Sequence, residues 1–432
     1  MAHRRETVVI VGGGASGILS ALHLLWATPE RVRVVVIEPR SELGRGIAYG
    51  TTDPGHLLNV RAGCLSARPD QPGHFTQWAR QHAAAHGESF VPRSFYGSYL
   101  RSLLGPVEHI RAHVRHAIPV GGRVQIVLSN GTHRSADRVV LAPGASPPQW
   151  PAPLRGTDRR WIGDPWRPGA LSEVTPGKPV LLVGTGLTAV DVALSLHSAG
   201  HRQVIATSRR GLLPSSHPEH PHQPLRLVPP RHPTARSLLA WAREARAEAG
   251  DWGAVVEALR PHTDNLWGAM TTTERARLLR HIHRRWEIHR HRMAPPVAAR
   301  IDAMRDLGEL TIMAGGIRSA RTDRRGIHVE LADRRVRFSA VINCTGPTAD
   351  VRRSTNPLIQ RLLDHRIVRP GPLALGLDTD ADGCLPDTGN ALWLVGPLRR
   401  GHRWETTAIP EIRTQAAALP QALWQERSTI GA

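Results

Sequence analysis

Twice in this chain an apolar strand runs into a glycine-spaced turn and directly into a helix: TVVIVGGGASGILSAL at residues 7–22 and PVLLVGTGLTAVDVAL at residues 179–194. Few short patterns restrict a fold as tightly. The β-branched run predicts a strand buried on both faces. The first glycine permits the sharp turn, the second lets backbone approach a pyrophosphate, and the third allows close helix–strand packing. The helix N-terminus then offers free N–H groups to phosphate. In the first copy the glycines are Gly12, Gly14 and Gly17, with Ser16 beside them as a further candidate cofactor contact. A helical run at 18–26 and a second buried strand at 32–37 complete a β-α-β unit. It ends on Glu38, placed to accept ribose hydroxyls.

The second copy has a strand at 180–183, then Gly184, Gly186 and Ala189 in the permitted GxGxxA form, with Thr188 as a candidate contact. A helix to about 198 and a strand at 203–207 follow. Its end differs, because Ser208, Arg209 and Arg210 stand where the first copy has an acid. Arginine there pairs with the 2′-phosphate of NADP, which an acid would repel, so NADPH is favoured over NADH. The competing reading is that both arginines are solvated turn residues.

A chain of 432 residues exceeds the usual size of one core, so two compact units are expected. A further likeness supports duplication. RVQIVLSNGTHRSADRVVLAPG follows the first unit and GIHVELADRRVRFSAVINCTG the second. Each reads as strand, turn, strand and a buried strand closing on a glycine, Gly144 or Gly346, both candidate cofactor contacts. The chain is expected to pass from one dinucleotide domain (1–165 plus 335–432) into another (166–334) and back. Within the second, residues 212–308 read as an insertion, a proline- and histidine-rich loop followed by helices. Leu278, Leu279, Ile282 and Trp286 form an apolar stripe on one basic helix. Its histidines, His281, His283, His289 and His291, are not at metal-ligand spacing, and Arg290 and Arg292 read as anion binders.

The 56 basic residues outnumber 36 acidic ones, a formal charge of +20, and Lys178 is the only lysine. Arginine is spread along the chain rather than clustered with aromatics, which argues against nucleic acid and for dinucleotide phosphates, an acidic substrate or a carrier protein. Three dispersed cysteines form no dithiol or zinc pattern. The N-terminal apolar run breaks at Gly12, too short to span a membrane, so the expected location is the cytoplasm.

Longer stretches carry a resemblance: residues 44–75 (GRGIAYGTTDPGHLLNVRAGCLSARPDQPGHF), PRSFYGSYL at 92–100, HRHRMAP at 289–295 and LWLVGPLRRGHRWETTAIPEIRTQA at 392–416. Over nearly its whole length the chain resembles the two-dinucleotide FAD/NAD(P)-binding flavoproteins near the flavin-dependent N-hydroxylating monooxygenases. The resemblance implies an α/β fold with two Rossmann-like domains, a glutathione-reductase-like FAD domain and an NADPH domain, plus the helical insertion. It places Asn59 and Arg61 near the isoalloxazine. It also places Trp404, Glu405, Thr406 and Thr407 there, ahead of a helix expected over 409–419. That helix N-terminus would stabilise negative charge on reduced flavin, while capping by Thr406 or Thr407 explains the same residues equally well. The implied reaction passes hydride from NADPH to FAD and uses molecular oxygen, through a C4a-(hydro)peroxyflavin, to oxidise the amine of an amino acid or similar metabolite. The product would be a hydroxylamine, nitroso or nitro compound. Two rivals share these residues: an NADPH-dependent flavin dehydrogenase or reductase without oxygen insertion, and a non-catalytic FAD-holding sensor or scaffold.

Overall fold

The computed structural model describes residues 4–425 except 84, 157, 223, 224, 226, 227 and 333. The chain opens with β1 (Glu6–Val11), α1 (Ala15–Ala27) and β2 (Val32–Ile37), then α2 (His74–Ala83), α3 (Arg93–Leu103) and β3 (Glu108–Ile110). An antiparallel meander of β4 (Val114–Val120), β5 (Arg123–Leu128) and β6 (His133–Ala136) leads into β7 (Arg138–Leu141). A short β8 (Trp161–Ile162) precedes β9 (Val180–Val183), α4 (Leu187–Ser198) and β10 (Val204–Ser208).

Next comes the helical insertion, α5 (Ala235–Ala249), α6 (Trp252–Leu259), α7 (Thr263–Ala269), α8 (Thr272–His281), α9 (His283–Arg290) and α10 (Pro295–Asp306). The loop ahead of it includes the four residues 223, 224, 226 and 227 that lie outside the described ones. Then follow β11 (Leu310–Ala314), the meander β12 (Ile317–Asp323), β13 (Gly326–Leu331) and β14 (Arg335–Phe338), and β15 (Ala340–Asn343). The chain returns through α11 (Pro357–Asp364), β16 (Leu392–Leu394) and α12 (Ile409–Trp424).

Two five-stranded sheets organise these elements, ordered β16-β7-β1-β2-β3 and β11-β10-β9-β15-β8, and every pairing in them is parallel. Both have the same plan. A central strand, β1 or β9, is flanked by the strand after its helix and by the strand after its meander. Alternate residues of each central strand feed opposite faces, as parallel strands buried on both sides require. Val8 and Ile10 join a core with α1, α3 and α12, whereas Val9 and Val11 join the first meander and α11. Val180 and Leu182 pack with α4 and α10, and Leu181 and Val183 with the second meander.

Several boundaries differ from the sequence reading. Strand β15 pairs with β9, and β8 with β15, so residues 161–162 and 340–343 lie in the second sheet rather than the first, and residues 335–338 lie in the second meander. Each meander also has a further strand, β4 and β12, which sequence missed. Neither alternates cleanly: β4 carries Pro119 and a register shift after Val114, and β12 is mostly polar with a shift after Ile317. The single basic helix breaks at Ile282 into α8 and α9. Helix α12 runs through Pro420 to Trp424, past the expected end at residue 419. Among the described residues no helix is long and apolar enough to cross a membrane.

The two units meet where α3 faces α4. Arg93 Nη2 lies 2.9 Å from Asp191 Oδ2, and His56 Nε2–H donates to the Asp191 carbonyl at 3.0 Å. Burial pushes the Asp191 carboxyl above its usual range, with Arg93 opposing. Removing the guanidinium leaves a buried carboxylate uncompensated, a change that costs on the order of 3 kcal/mol. Arg93→Ala is therefore expected to lower stability in urea unfolding. The deficit should grow as pH rises through the raised Asp191 pKa, because without Arg93 only the protonated acid is tolerated there. A deficit independent of pH would exclude this account.

Candidate functional site

Gly12 adopts φ +108°, and a Cβ there would fall 2.2 Å from the Ala142 carbonyl oxygen. A Cβ on Gly17 would fall 1.8 Å from the Gly12 carbonyl oxygen. The turn is thus clamped between the neighbouring strand and its own helix. Gly14 caps α1 with no side-chain hydrogen bond, and a Cβ on it would meet only Gly46 Cα, at 3.5 Å. Backbone alone therefore lines the approach to the helix N-terminus. Glu38 is buried, with Oε2 accepting from Gly13 N–H at 2.8 Å and Oε1 from Arg40 N–H at 3.1 Å.

Ser16 packs against Gly396, where a Cβ would lie 2.5 Å from Ser16 Oγ. On Gly396, N–H donates to Gln415 Oε1 at 3.0 Å and the carbonyl accepts from Thr406 Oγ1 at 2.8 Å. Gln415 Nε2 donates to Thr406 Oγ1 at 2.8 Å, closing the network. The starts of α1 and α12 converge across this one glycine. Ala408 is the N-cap of α12 and no side chain caps it, so capping by Thr406 or Thr407 is not what the structure holds. Thr406 is fully buried with its hydroxyl engaged, and Thr407 is exposed.

Trp404 and Glu405 face the helical insertion. The Trp404 ring lies 4.7 Å from that of Trp267 and 5.3 Å, edge-on, from His283. Glu405 is buried and ion-paired with Arg290 at 3.0 Å. Arg292 pairs with Glu257. The expectation that Arg290 and Arg292 bind an external anion is thus corrected, because both are buried against the protein's own carboxylates.

The second turn repeats the first. Gly184 has φ +121° and would place a Cβ 2.3 Å from the Cys344 carbonyl oxygen. Gly186 caps α4, again with no side-chain hydrogen bond, and Thr188 lies in its first turn. Ser208 Oγ contacts Thr185 Oγ1 at 2.9 Å and accepts from Gly211 N–H at 3.0 Å, so its hydroxyl shapes the turn. Arg209 and Arg210 are exposed. They open onto a cleft of about 1030 Å³, which Gly186, Thr188, Gly346, Arg280, Arg284 and Arg400 also line. Glu287 is the one acid lining it among the described residues. Gly144 and Gly346, at φ +75° and +80°, have nothing near their missing Cβ positions.

Asn59 and Arg61 stand at a different border. The Asn59 carbonyl accepts from His217 Nε2–H at 2.9 Å. Arg61 Nη2 donates to the carbonyls of Pro218 and Glu219 at 2.7 and 3.1 Å, and Nη1 meets Glu88 at 3.1 Å. Its guanidinium fastens the loop before the insertion to the first unit, which corrects the expectation of a catalytic side chain free to meet a ligand.

Sequence reasoning missed the half-buried carboxylate of α9, Glu287, and the cluster around it. Glu287 Oε1 lies 3.1 Å from His283 Nε2, 3.7 Å from His291 Nε2 and 3.8 Å from Arg400 Nη2. Burial disfavours its charge, but His291, His283 and Arg400 outweigh that and hold the carboxyl well below the usual range. The available signal was the i,i+4 spacing His283–Glu287–His291, which puts all three on one helical face.

Two glycine turns at the ends of two parallel sheets define the class: an α/β protein with two Rossmann-like dinucleotide-binding units. Comparison with known proteins agrees. Residues 9–146 match a family model described as FAD-NAD(P)-binding. L-aspartate N-monooxygenase (nitrosuccinate-forming) of Streptomyces cremeus is 30% identical over 270 residues, 49% of this chain and 40% of that protein. The match therefore spans less than half of that curated relative. The ornithine N-hydroxylase of Kutzneria sp. 744 superposes with a TM-score of 0.67 at 14% identity, over 97% of this chain and 99% of that one. The FAD-bound cadaverine monooxygenase of Erwinia amylovora gives 0.67 at 12% identity, over 98% and 95%. At these identities the structures establish the fold.

His217 supplies a pH test. Burial, then Arg292, lower its pKa to about 4, consistent with a neutral ring donating from Nε2. The unfolded ring takes a proton near pH 6.5, so the unfolded state gains between pH 6.5 and 4 and stability falls as pH falls through that window. His217→Gln keeps a donor but cannot titrate. It should lose less stability than wild type between pH 7 and 5 in urea unfolding, and equal losses would refute the assignment.

Proposed function

We propose that this chain is an FAD-dependent, NADPH-consuming monooxygenase that oxidises the amine of an amino acid or similar small metabolite, free or held on a carrier protein, in the cytoplasm. The observation that carries the cofactor reading is the second cleft, where an uncapped helix N-terminus is ringed by Arg209, Arg210, Arg280, Arg284 and Arg400. A pyridine nucleotide with an extra phosphate is what such a cleft recognises. Identity to an enzyme named for aspartate N-oxidation supports the amine chemistry.

In this reading the unit containing β1 to β7, rejoined by β16 and α12, holds FAD, and the unit around β9 holds NADPH. The residues of the first turn suit that role. The bare N–H groups of α1 would bind pyrophosphate, and buried Glu38 would orient the ribose. FAD, when bound, supplies electron transfer and oxygen activation, and NADPH supplies hydride. The chain's own task is alignment and exclusion of water. The N-terminus of α12 would stabilise negative charge on reduced flavin. Trp404, tilted against Trp267, would seal that region. Asn59 and Arg61 would act as positioning residues through the loop they hold.

A screen of amino acids and small amines for stimulated NADPH oxidation tests the proposal, with labelled molecular oxygen followed into the product. At least one amine should stimulate turnover and appear N-oxidised with label. If NADPH consumption returns wholly as hydrogen peroxide with every amine, the chain is a flavin reductase instead. Charge-assisted hydrogen bonds contribute about 1.5–3 kcal/mol, so Arg209→Ala with Arg210→Ala should raise the NADPH KM by about tenfold or more. The NADH KM should stay within about twofold. Equal losses with both nucleotides would exclude the 2′-phosphate role.

A further inference from the structure

The helical insertion, together with Trp404, forms a half-open apolar cavity of about 460 Å³, walled by Leu238, Val255, Leu259, Leu266, Trp267 and Trp286. Protein interiors are close-packed, so a hollow of this size leaves large apolar side chains facing solvent without packing partners. The surrounding cluster shows this. Ala245, Val255 and Leu259 are buried, yet Trp241, Trp252 and Trp286 remain only partly so. Volume and lining match those of sites for small organic molecules.

The polar groups narrow the ligand. Arg243, Arg285 and His281 line the cavity and are exposed, which makes them a rim. No acidic side chain lines it among the described residues. The Trp286 ring lines the wall, while its Nε1 is shut off from the space. This site is separate from the nucleotide cleft, although the two share α9. Arg284 and Glu287 line the cleft, while Arg285, Trp286 and His289 line the cavity.

We propose that this cavity binds an amphiphilic carboxylate, with an apolar chain or ring enclosed by the tryptophans and leucines and the carboxylate at the arginine rim. Nothing in the inference requires the redox reading, and its test reads binding alone. The full-length protein with its cofactors is titrated with octanoate, decanoate and dodecanoate by calorimetry and tryptophan fluorescence, with decanol and decylammonium as matched controls. Decanoate should saturate, and each added methylene should tighten binding about three- to fourfold until the cavity is full. Decanol should bind about tenfold more weakly, and decylammonium more weakly still.

Ala242→Trp, which fills the space, should weaken decanoate at least about tenfold. Arg243→Ala with Arg285→Ala should erase the preference for carboxylate over alcohol and leave decanol unchanged. The proposal fails if no probe saturates below about 1 mM. It also fails if decanol matches decanoate, or if a folded Ala242→Trp protein binds as wild type. Should Ala242→Trp not fold, judged by circular dichroism, the exposed rim pair decides the question alone.

Discussion

The carbonyl oxygens of Ala142 and Cys344 set the geometry on which the molecule is built. Each presses against a glycine, Gly12 or Gly184, at a distance that excludes a side chain. The turn is thereby forced onto the end of the neighbouring strand, and the helix must begin at the carboxyl edge of its sheet. Its unmet N–H groups, and the partial positive charge they carry, face the same way as the strand ends. Everything assigned to ligand binding in either unit lies at or beyond that edge. In the first unit a second helix start, that of α12, is drawn to the same place through Gly396.

Positive charge is divided between structure and site. Arg93, Arg290 and Arg292 are consumed by Asp191, Glu405 and Glu257, and Arg61 by loop carbonyls and Glu88. Arg209 and Arg210 are left facing a cleft with few acids. The count of 56 basic residues thus overstates the cations open to a ligand, since several of them join the insertion to the rest of the protein.

The glycine turns were legible because one residue type at fixed spacing is the sole solution to a close backbone approach, and β2, β9 and the end of α4 fell where that logic put them. Other parts were not legible, for definable reasons. The short strand β8 carries only Trp161 and Ile162, too little to register as a pattern, yet it closes the second sheet. The roles of Arg61, Arg290 and Arg292 depend on partners far away in the chain, and no local spacing reports them. Leu278, Ile282 and Trp286 are apolar as read, but they span the break between α8 and α9 and divide between the half-open cavity and the Trp267, Leu375 and Trp404 cluster. Periodicity states which side of a helix avoids water and is silent on what lies opposite.

In both sheets the outer strand next to the β2 or β10 position is reached only after an excursion, through α2 and α3 to β3 in one and through α5 to α10 to β11 in the other. These excursions occupy the same socket of a duplicated plan, and neither interrupts the central strand, its glycine turn or its helix. The socket is where the two halves have diverged most in size. Both lengths of inserted chain leave the hydrogen-bonded frame in register. The glycine turns at the strand ends and the helices that flank them therefore lie on separate stretches of chain.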